Sequence, residues 1–285
     1  MPRADAFERN AGAAGWRRDA PVRIEVSGTV FEIDGLEAGA WAWAVERYGA
    51  FLSDRAADLH VTVAIGDAAA DDDDGMAPTL TMTDERFVYR AGGYRLDGDL
   101  GAGRVRLVAP PLPTVLSPAP FRVLCSLMLL RTGGVMLHAS AVVDHGVARV
   151  FCGPSESGKT TIAGLAGARP VLSDETIALC PSGDGYRACA TPFFGEAGPV
   201  AAQTNTEAPL ASLFFLRKST RFAHRPLARR EAAQRAFMQT FVPKRAPAVA
   251  SALLGSLAAL TAAVPCFELE FAARDALWSY VDAVA

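Results

Sequence analysis

The chain has 285 residues, 51% hydrophobic and 21% charged, enough apolar mass for one large domain or two ordinary ones and too much for a disordered protein. The net charge of −3 carries no basic surplus, which excludes a sequence-independent nucleic-acid binder of the usual kind. Five cysteines (Cys125, Cys152, Cys180, Cys189, Cys266) are odd in number and lack CxxC spacing. That usage fits reduced, buried thiols in a cytoplasmic protein, not a disulfide framework or a zinc site.

In chain order, residues 1–20 contain arginines but no apolar core and read as a mobile start, not a secretory signal. Val22–Val26 and Val30–Ile33 alternate around a Ser-Gly turn and predict two strands. Leu36–Leu52 has helical spacing, and Leu59–Ile65, Thr79–Thr83, Phe87–Arg90, Tyr94–Leu96 and Arg104–Val108 are strand-like runs parted by Gly and Asp. Residues 21–108 therefore predict a small β-rich α+β domain. The carboxylates Asp71–Asp74 repel one another and fit a solvated loop better than a cation site. The proline-rich stretch 109–120, APPLPTVLSPAP, predicts a linker.

Residues 121–285 predict a second domain. Phe121–Leu130 is an apolar helix ending at Thr132-Gly133-Gly134. Val135–Val143 and Val147–Cys152 form a hairpin across Asp144-His145-Gly146. A loop Gly153–Gly158, a helix from Lys159 to Gly167 and a strand Val171–Leu172 running into Ser173-Asp174-Glu175 follow. Farther on come a buried strand Leu213–Leu216, helices Ala228–Phe241 and Val249–Ala263, a strand Phe267–Phe271 and a closing helix Arg274–Ala285. Ala246–Phe267 has no charge and the length of a membrane span. Its large residues, Leu253, Leu254, Leu257 and Leu260, form one stripe among alanines, the pattern of a buried or half-buried helix outside a membrane.

The chemistry concentrates in one segment. Gly153-Pro154-Ser155-Glu156-Ser157-Gly158-Lys159-Thr160 fits GxxxxGK[ST] at every fixed position and lies between an apolar strand and a helix. Gly153 and Gly158 let the backbone turn so that successive N–H groups of the nucleotide-binding segment, which runs from Gly153 to Thr161, point inward at phosphate oxygens. Lys159 neutralises β/γ charge, and the Thr160 hydroxyl completes a Mg²⁺ shell. Asp174 ends the next strand, where a carboxylate can reach the metal; a turn-capping aspartate has the same pattern. Glu175 follows it.

The order HASAVV, turn, ARVFCGPSESGKTT, LSDE resembles the C-terminal kinase domain of HPr kinase/phosphorylase-like proteins, related in fold to phosphoenolpyruvate carboxykinases. Gly134, His138 and Ser140 match that family's Gly-x-x-x-His-x-Ser strand, and Asp174-Glu175 stands where two aspartates are expected. The resemblance spans roughly 121–285 and is specific between His138 and Glu175. It implies an α/β P-loop kinase domain of the HPr kinase / PEP carboxykinase-like type behind the small β-rich domain. It also implies ATP and Mg²⁺, His138 near the transferred phosphate, Asp174 as base or metal ligand, and Thr160, Asp174 and Glu175 around the metal. A histidine on an apolar strand otherwise reads as a core residue. In place of the family's later Glu-x-Arg-Gly signature stands ATPFFGE, 190–196, with Glu196 able to face the site or to follow a Thr-Pro turn.

The sequence looks closer to short stand-alone relatives in bacterial biosynthetic clusters, including kinases of a serine on lasso-type precursor peptides. The expectation is therefore γ-phosphate transfer to a hydroxyl, a serine of a peptide or protein first, with a precursor peptide as one such partner. A P-loop ATPase or nucleotide switch, and a small-metabolite kinase, are the alternatives. Nucleic acid and membrane are not expected partners. Residues 21–108 are the place for acceptor recognition or self-association as a homo-oligomer. Arg217 and Lys218 can hold a phosphate or be an ordinary strand-end pair. Arg221, His224, Arg225, Arg229 and Arg230 read as a solvated basic face.

Overall fold

The computed structural model describes residues 20–66, 78–110, 118–195, 198, 204–242, 246–272 and 276–284. The start 1–19, the acidic run Asp71–Asp74, residues 111–117 and Glu196 lie outside them. The chain divides into two compact units, Met1–Phe121 and Arg122–Ala285.

The first unit contains β1 (Val22–Val26), β2 (Thr29–Asp34), α1 (Ala38–Tyr48), β3 (Leu59–Ile65), β4 (Thr79–Thr83), β5 (Arg86–Ala91), β6 (Tyr94–Asp99) and β7 (Arg104–Ala109). They make one seven-stranded sheet in the order β1-β2-β3-β7-β6-β5-β4. β2, β3 and β7 run parallel and the remaining pairs are antiparallel. Period-two alternation sends Val22, Ile24 and Val26 of β1 and Leu59, Val61 and Val63 of β3 to the buried side. α1 buries Trp41, Ala44 and Tyr48, and the Trp41 Nε1–H donates to the Ala20 carbonyl at 2.9 Å. Phe121 meets Phe31 and Tyr48 edge-on, with centroids 5.1 and 5.7 Å away.

The boundary falls inside α2 (Pro118–Arg131). The second unit then holds β8 (Val135–Asp144), β9 (Val147–Cys152), α3 (Lys159–Gly164), β10 (Val171–Ser173), β11 (Thr176–Ser182), β12 (Gly185–Cys189), β13 (Glu207–Lys218), β14 (Ala223–Pro226), α4 (Arg229–Phe237), α5 (Pro247–Ala263), β15 (Cys266–Phe271) and α6 (Leu277–Asp282). Eight strands form its sheet, in the order β10-β8-β11-β12-β13-β15-β14, with β9 paired to both β8 and β13.

β8 and β13 are the two long strands. Along one edge β8 pairs β11 from Val135 to His138 and β10 at Ala141 and Val142; along the other it pairs β9 from Ala139 to Asp144. β13 pairs β12 at 207–209, then runs parallel to β9 and β15. The core beside β9 stacks Phe151 on Phe214 at 5.3 Å and sets Trp278 edge-on to Phe151 at 5.8 Å.

Several elements differ from the sequence reading: β14 was not predicted, and α3 and α6 are shorter than expected. After Ser173 the chain returns as β11 and β12, which short length and a polar SGDG turn had hidden. α4 stops at Phe237 and not at Phe241. There Gln239 O accepts from His138 N at 2.7 Å and Thr240 bridges Leu137, so the segment is drawn onto β8. α5 buries Leu253, Leu257 and Leu260 and leaves Leu254 half exposed. Among the described residues no helix is long and apolar enough to cross a membrane.

α6 is tied back by buried charge. Asp144 accepts from Arg149 Nη1 and from Arg169 Nε, both at 2.6 Å, while Asp282 lies 3.7 and 3.8 Å from the same two guanidinium groups. Asp144, His145 and Asp282 also place three ligand atoms within 4.8 Å of one another. Two guanidinium groups on Asp144 make this an ion-pair network and leave no room for a cation's charge. Removing one partner strands the others, so Asp144→Ala should lower unfolding free energy by about 3 kcal/mol in chemical denaturation; a loss near zero would mean that water screens the network.

α3 begins at Gly158, whose φ is +106°, and a Cβ there would collide with the Phe271 ring. Left-handed backbone costs an L-residue about 1–2 kcal/mol before any collision. Gly158→Ala should therefore lower stability by about 2 kcal/mol, and calorimetry should show a depressed Tm; an unchanged Tm would mean that the loop relaxes without strain.

Candidate functional site

The site forms where β8 changes partner. On one edge His138 N donates to Gln239 O and the next residue, Ala139, pairs Cys152 at the end of β9; on the other edge Thr176 and Glu175 lie opposite the same two residues. Strands that part in this way leave a crevice at their ends, the usual seat of ligands in open α/β sheets. Four chain segments reach it: the middle of β8, the loop after β9, the turn between β10 and β11, and the end of β13.

A cavity of about 590 Å³ occupies this place. The glycine-rich loop and α3 contribute Ser155, Glu156, Gly158, Lys159, Thr160 and Thr161 to its wall. His138 enters from β8, Glu175 from the turn before β11 and Lys218 from the end of β13. Of the residues singled out in the sequence, His138, Lys159, Thr160, Thr161 and Glu175 thus share one cavity. Asp174 is buried and is not on this wall among the described residues. Gly153, Pro154 and Ser157 are not on this wall among the described residues; a Cβ at Gly153 would strike the buried Ser157 hydroxyl, which is why glycine stands there.

Lys159 is buried at 5% exposure, and its Nζ donates to the Gly153 and Pro154 carbonyls at 2.9 Å each. An ammonium has three donors, so one remains for a ligand. Burial lowers the Lys159 pKa, opposed by the Glu175 charge. Lys218 has no ion-pair partner among the described residues, whereas its neighbour Arg217 is held by Glu270 at 3.1 Å. Glu156 adopts φ +65°, a conformation unfavourable for a residue with a side chain.

Glu175 Oε1 lies 3.2 Å from His138 Nε2 and 3.8 Å from Arg122 Nη1. The His138 hydrogen bond holds the Glu175 carboxyl below the usual carboxylate range against the opposing effect of burial, with the charges of Arg122 and Lys159 adding to it. Arg122 is itself clamped by aromatics, 4.9 Å from the Phe241 ring centroid and 6.0 Å from that of Phe193. The sequence reading passed over Arg122. Its signal was a lone cation inside the apolar run Phe121–Leu130. His145 sits on the hairpin turn with its side chain 79% exposed, and Ser140 is wholly buried with an unpartnered hydroxyl among the described residues; neither reaches the cavity. Of the basic stretch, Arg225 is bound to Glu231 and Glu268 and Arg221 lies near Glu270.

Among solved structures the chain is similar to the HPr(Ser) kinase/phosphatase from Coxiella burnetii, at 11% identity over 52% of this chain and 95% of that chain, with a TM-score of 0.32. No curated protein matches the chain. The family model described as SynChlorMet cassette protein ScmC matches residues 122–285, more than half of the sequence and the whole of the unit that carries the cavity. The chain therefore belongs to the ScmC family.

Proposed function

We propose that the chain is a phosphotransferase that passes the γ-phosphate of Mg²⁺-bound ATP to a hydroxyl, with a serine of a peptide or protein as the first acceptor to test. The observation that carries this reading is the single cavity shared by Lys159 and Thr160 of the GxxxxGKT segment and by the His138–Glu175 pair. The first two residues suit a polyphosphate and the pair suits a hydroxyl proton.

The residues fit a nucleotide. The third donor of Lys159 and the ammonium of Lys218, which has no ion-pair partner among the described residues, offer two positive charges to phosphate oxygens. The loop amides between Ser155 and Thr160 supply neutral donors that need no reorganisation when charge moves. The Thr160 hydroxyl is the group on the wall that would hold Mg²⁺, with phosphate oxygens completing the shell. Magnesium, when bound, would draw charge from the β- and γ-phosphate oxygens. A hydroxyl entering beside His138 and Glu175 has a proton acceptor within the cavity, and Lys159 and Lys218 hold the phosphoryl group for in-line attack.

Purified protein incubated with γ-labelled ATP, Mg²⁺ and an extract of the source cells should label a peptide or protein band. Lys159→Ala should lower that labelling about a hundredfold or more, and Lys218→Ala about tenfold. Label found only as free phosphate would replace this reading with an ATPase or nucleotide switch. Label on a small molecule would move the acceptor to a metabolite.

A further inference from the structure

The cavity wall holds one imidazole, His138, and two carboxylates, Glu156 and Glu175, and the family resemblance offered Glu175 to a metal. The contacts assign it elsewhere. Glu175 Oε1 is approached by His138 Nε2 at 3.2 Å and by Arg122 Nη1 at 3.8 Å. Its other oxygen lies beside Gly195, whose Cβ position is 4.0 Å from Oε2. The titratable and charged groups that face Glu175 come from three elements: His138 on β8, Arg122 on α2 and Lys159 on α3. A carboxylate already engaged by two cations and an imidazole gains little from a further cation and would have to give up His138 to take it.

We propose that Arg122, Glu175 and His138 form a positioning chain, in which Arg122 holds Glu175, Glu175 orients the imidazole, and His138 Nδ1 receives the acceptor's proton; Glu175 is not a metal ligand. The inference rests on the phosphotransfer reading above. The tautomer follows from donor chemistry. An ionised carboxylate only accepts, so Nε2 carries the hydrogen and a neutral ring keeps its lone pair on Nδ1. Nδ1 has no hydrogen-bond partner among the described residues. In the step, the acceptor O–H proton moves to Nδ1 as its oxygen bonds to the γ-phosphorus. The bond from that phosphorus to the β–γ bridging oxygen breaks, and ADP leaves with the oxygen. The resulting imidazolium is stabilised by Glu175 and later returns its proton to water. Arg122 does not touch the cavity; stacking on Phe241 keeps its guanidinium in place, so it is a positioning residue.

The test has three measurements on the full chain. Nitrogen-15 NMR of the ligand-free protein should show His138 protonated at Nε2 and not at Nδ1, with the preference lost in Glu175→Ala. Mn²⁺ binding to the ADP-loaded protein, followed by electron paramagnetic resonance, should weaken about tenfold or more in Thr160→Ala and stay within about twofold of wild type in Glu175→Ala. Arg122→Met should lower kcat for Mg²⁺–ATP turnover about tenfold with ADP affinity unchanged, and Arg122→Lys should recover part of the loss. An Nδ1–H tautomer in the wild-type protein, or a tenfold loss of Mn²⁺ affinity in Glu175→Ala, would overturn the proposal. Equal damage by Arg122→Met to ADP affinity and kcat would overturn the part given to Arg122. If the wild-type chain binds no ADP, the phosphotransfer reading fails, while the wild-type tautomer still decides whether Glu175 orients His138.

Discussion

Between His138 and Ala139, one edge of β8 passes from the segment at Gln239 and Thr240 to β9, and the cavity depends on that single change. Backbone pairing is obligatory for buried strands, so two neighbours that cannot both continue must part. On the other edge β10 and β11 run along β8 in succession, and Glu175, whose carbonyl accepts from Ala139 N at 3.1 Å, stands level with the fork. β9 ends at Cys152 on the other side, so the glycine-rich loop starts at the same fork. β13 and β15 run parallel to β9 and finish near the same level, at Lys218 and Phe271. One topological event thus delivers the imidazole, the carboxylate, the loop and a second lysine to one place. No local propensity of those residues would do so.

The charges around the fork are arranged so that they do not cancel toward the cavity. Lys159 and Lys218 are the cations on the wall, and Glu156 and Glu175 the anions. Glu175 lies within reach of Arg122 and His138. Burial lowers the Lys159 pKa, the charge of Glu175 opposes that fall, and two carbonyls accept from its ammonium. A polyanion arriving at the wall therefore meets a lysine whose desolvation has already occurred on folding. Such a group needs little rearrangement to bind, which is the sense in which the site is preorganised.

The hairpin β8–β9 could be read from the sequence because its signals are local: two apolar runs flank Asp144-His145-Gly146, and His145 and Gly146 both adopt positive φ. The loop could be read because its glycines answer steric demands inside the motif, from Ser157 at Gly153 and from the Phe271 ring at Gly158. The strands of the first sheet were visible because one face is buried and alternation is clean, as in the LHVTVAI of β3. β11 and β12 were hidden because TIALCPS and GYRAC alternate poorly and owe their strand form to neighbours distant in sequence. The choice between Asp174 and Glu175 also escaped the sequence, since adjacent residues of one turn point to different surroundings and only the tertiary fold says which meets the cavity. Arg122 was invisible as a functional group because its partners, Glu175, Phe193 and Phe241, are all more than fifty residues away.

The last part of the chain bears on the loop more than its distance in sequence suggests. The Phe271 ring lies against Gly158 at the start of α3, and Trp278 Nε1–H donates to Leu165 O at 2.8 Å just past its end. The same indole lies edge-on to Phe151 of β9, stacks under Arg169 at 4.7 Å, and belongs to the helix that Asp282 ties to Arg149 and Arg169. α3 is only six residues long and would not hold its shape alone. β15 and α6 thus brace it at both ends, converting a short, glycine-rich segment into a fixed arrangement of donors. A loop braced in this way can approach a phosphate with its backbone and still lose little conformational freedom on binding. The ion pairs of α6 therefore act on the cavity through geometry, although none of their side chains lines it.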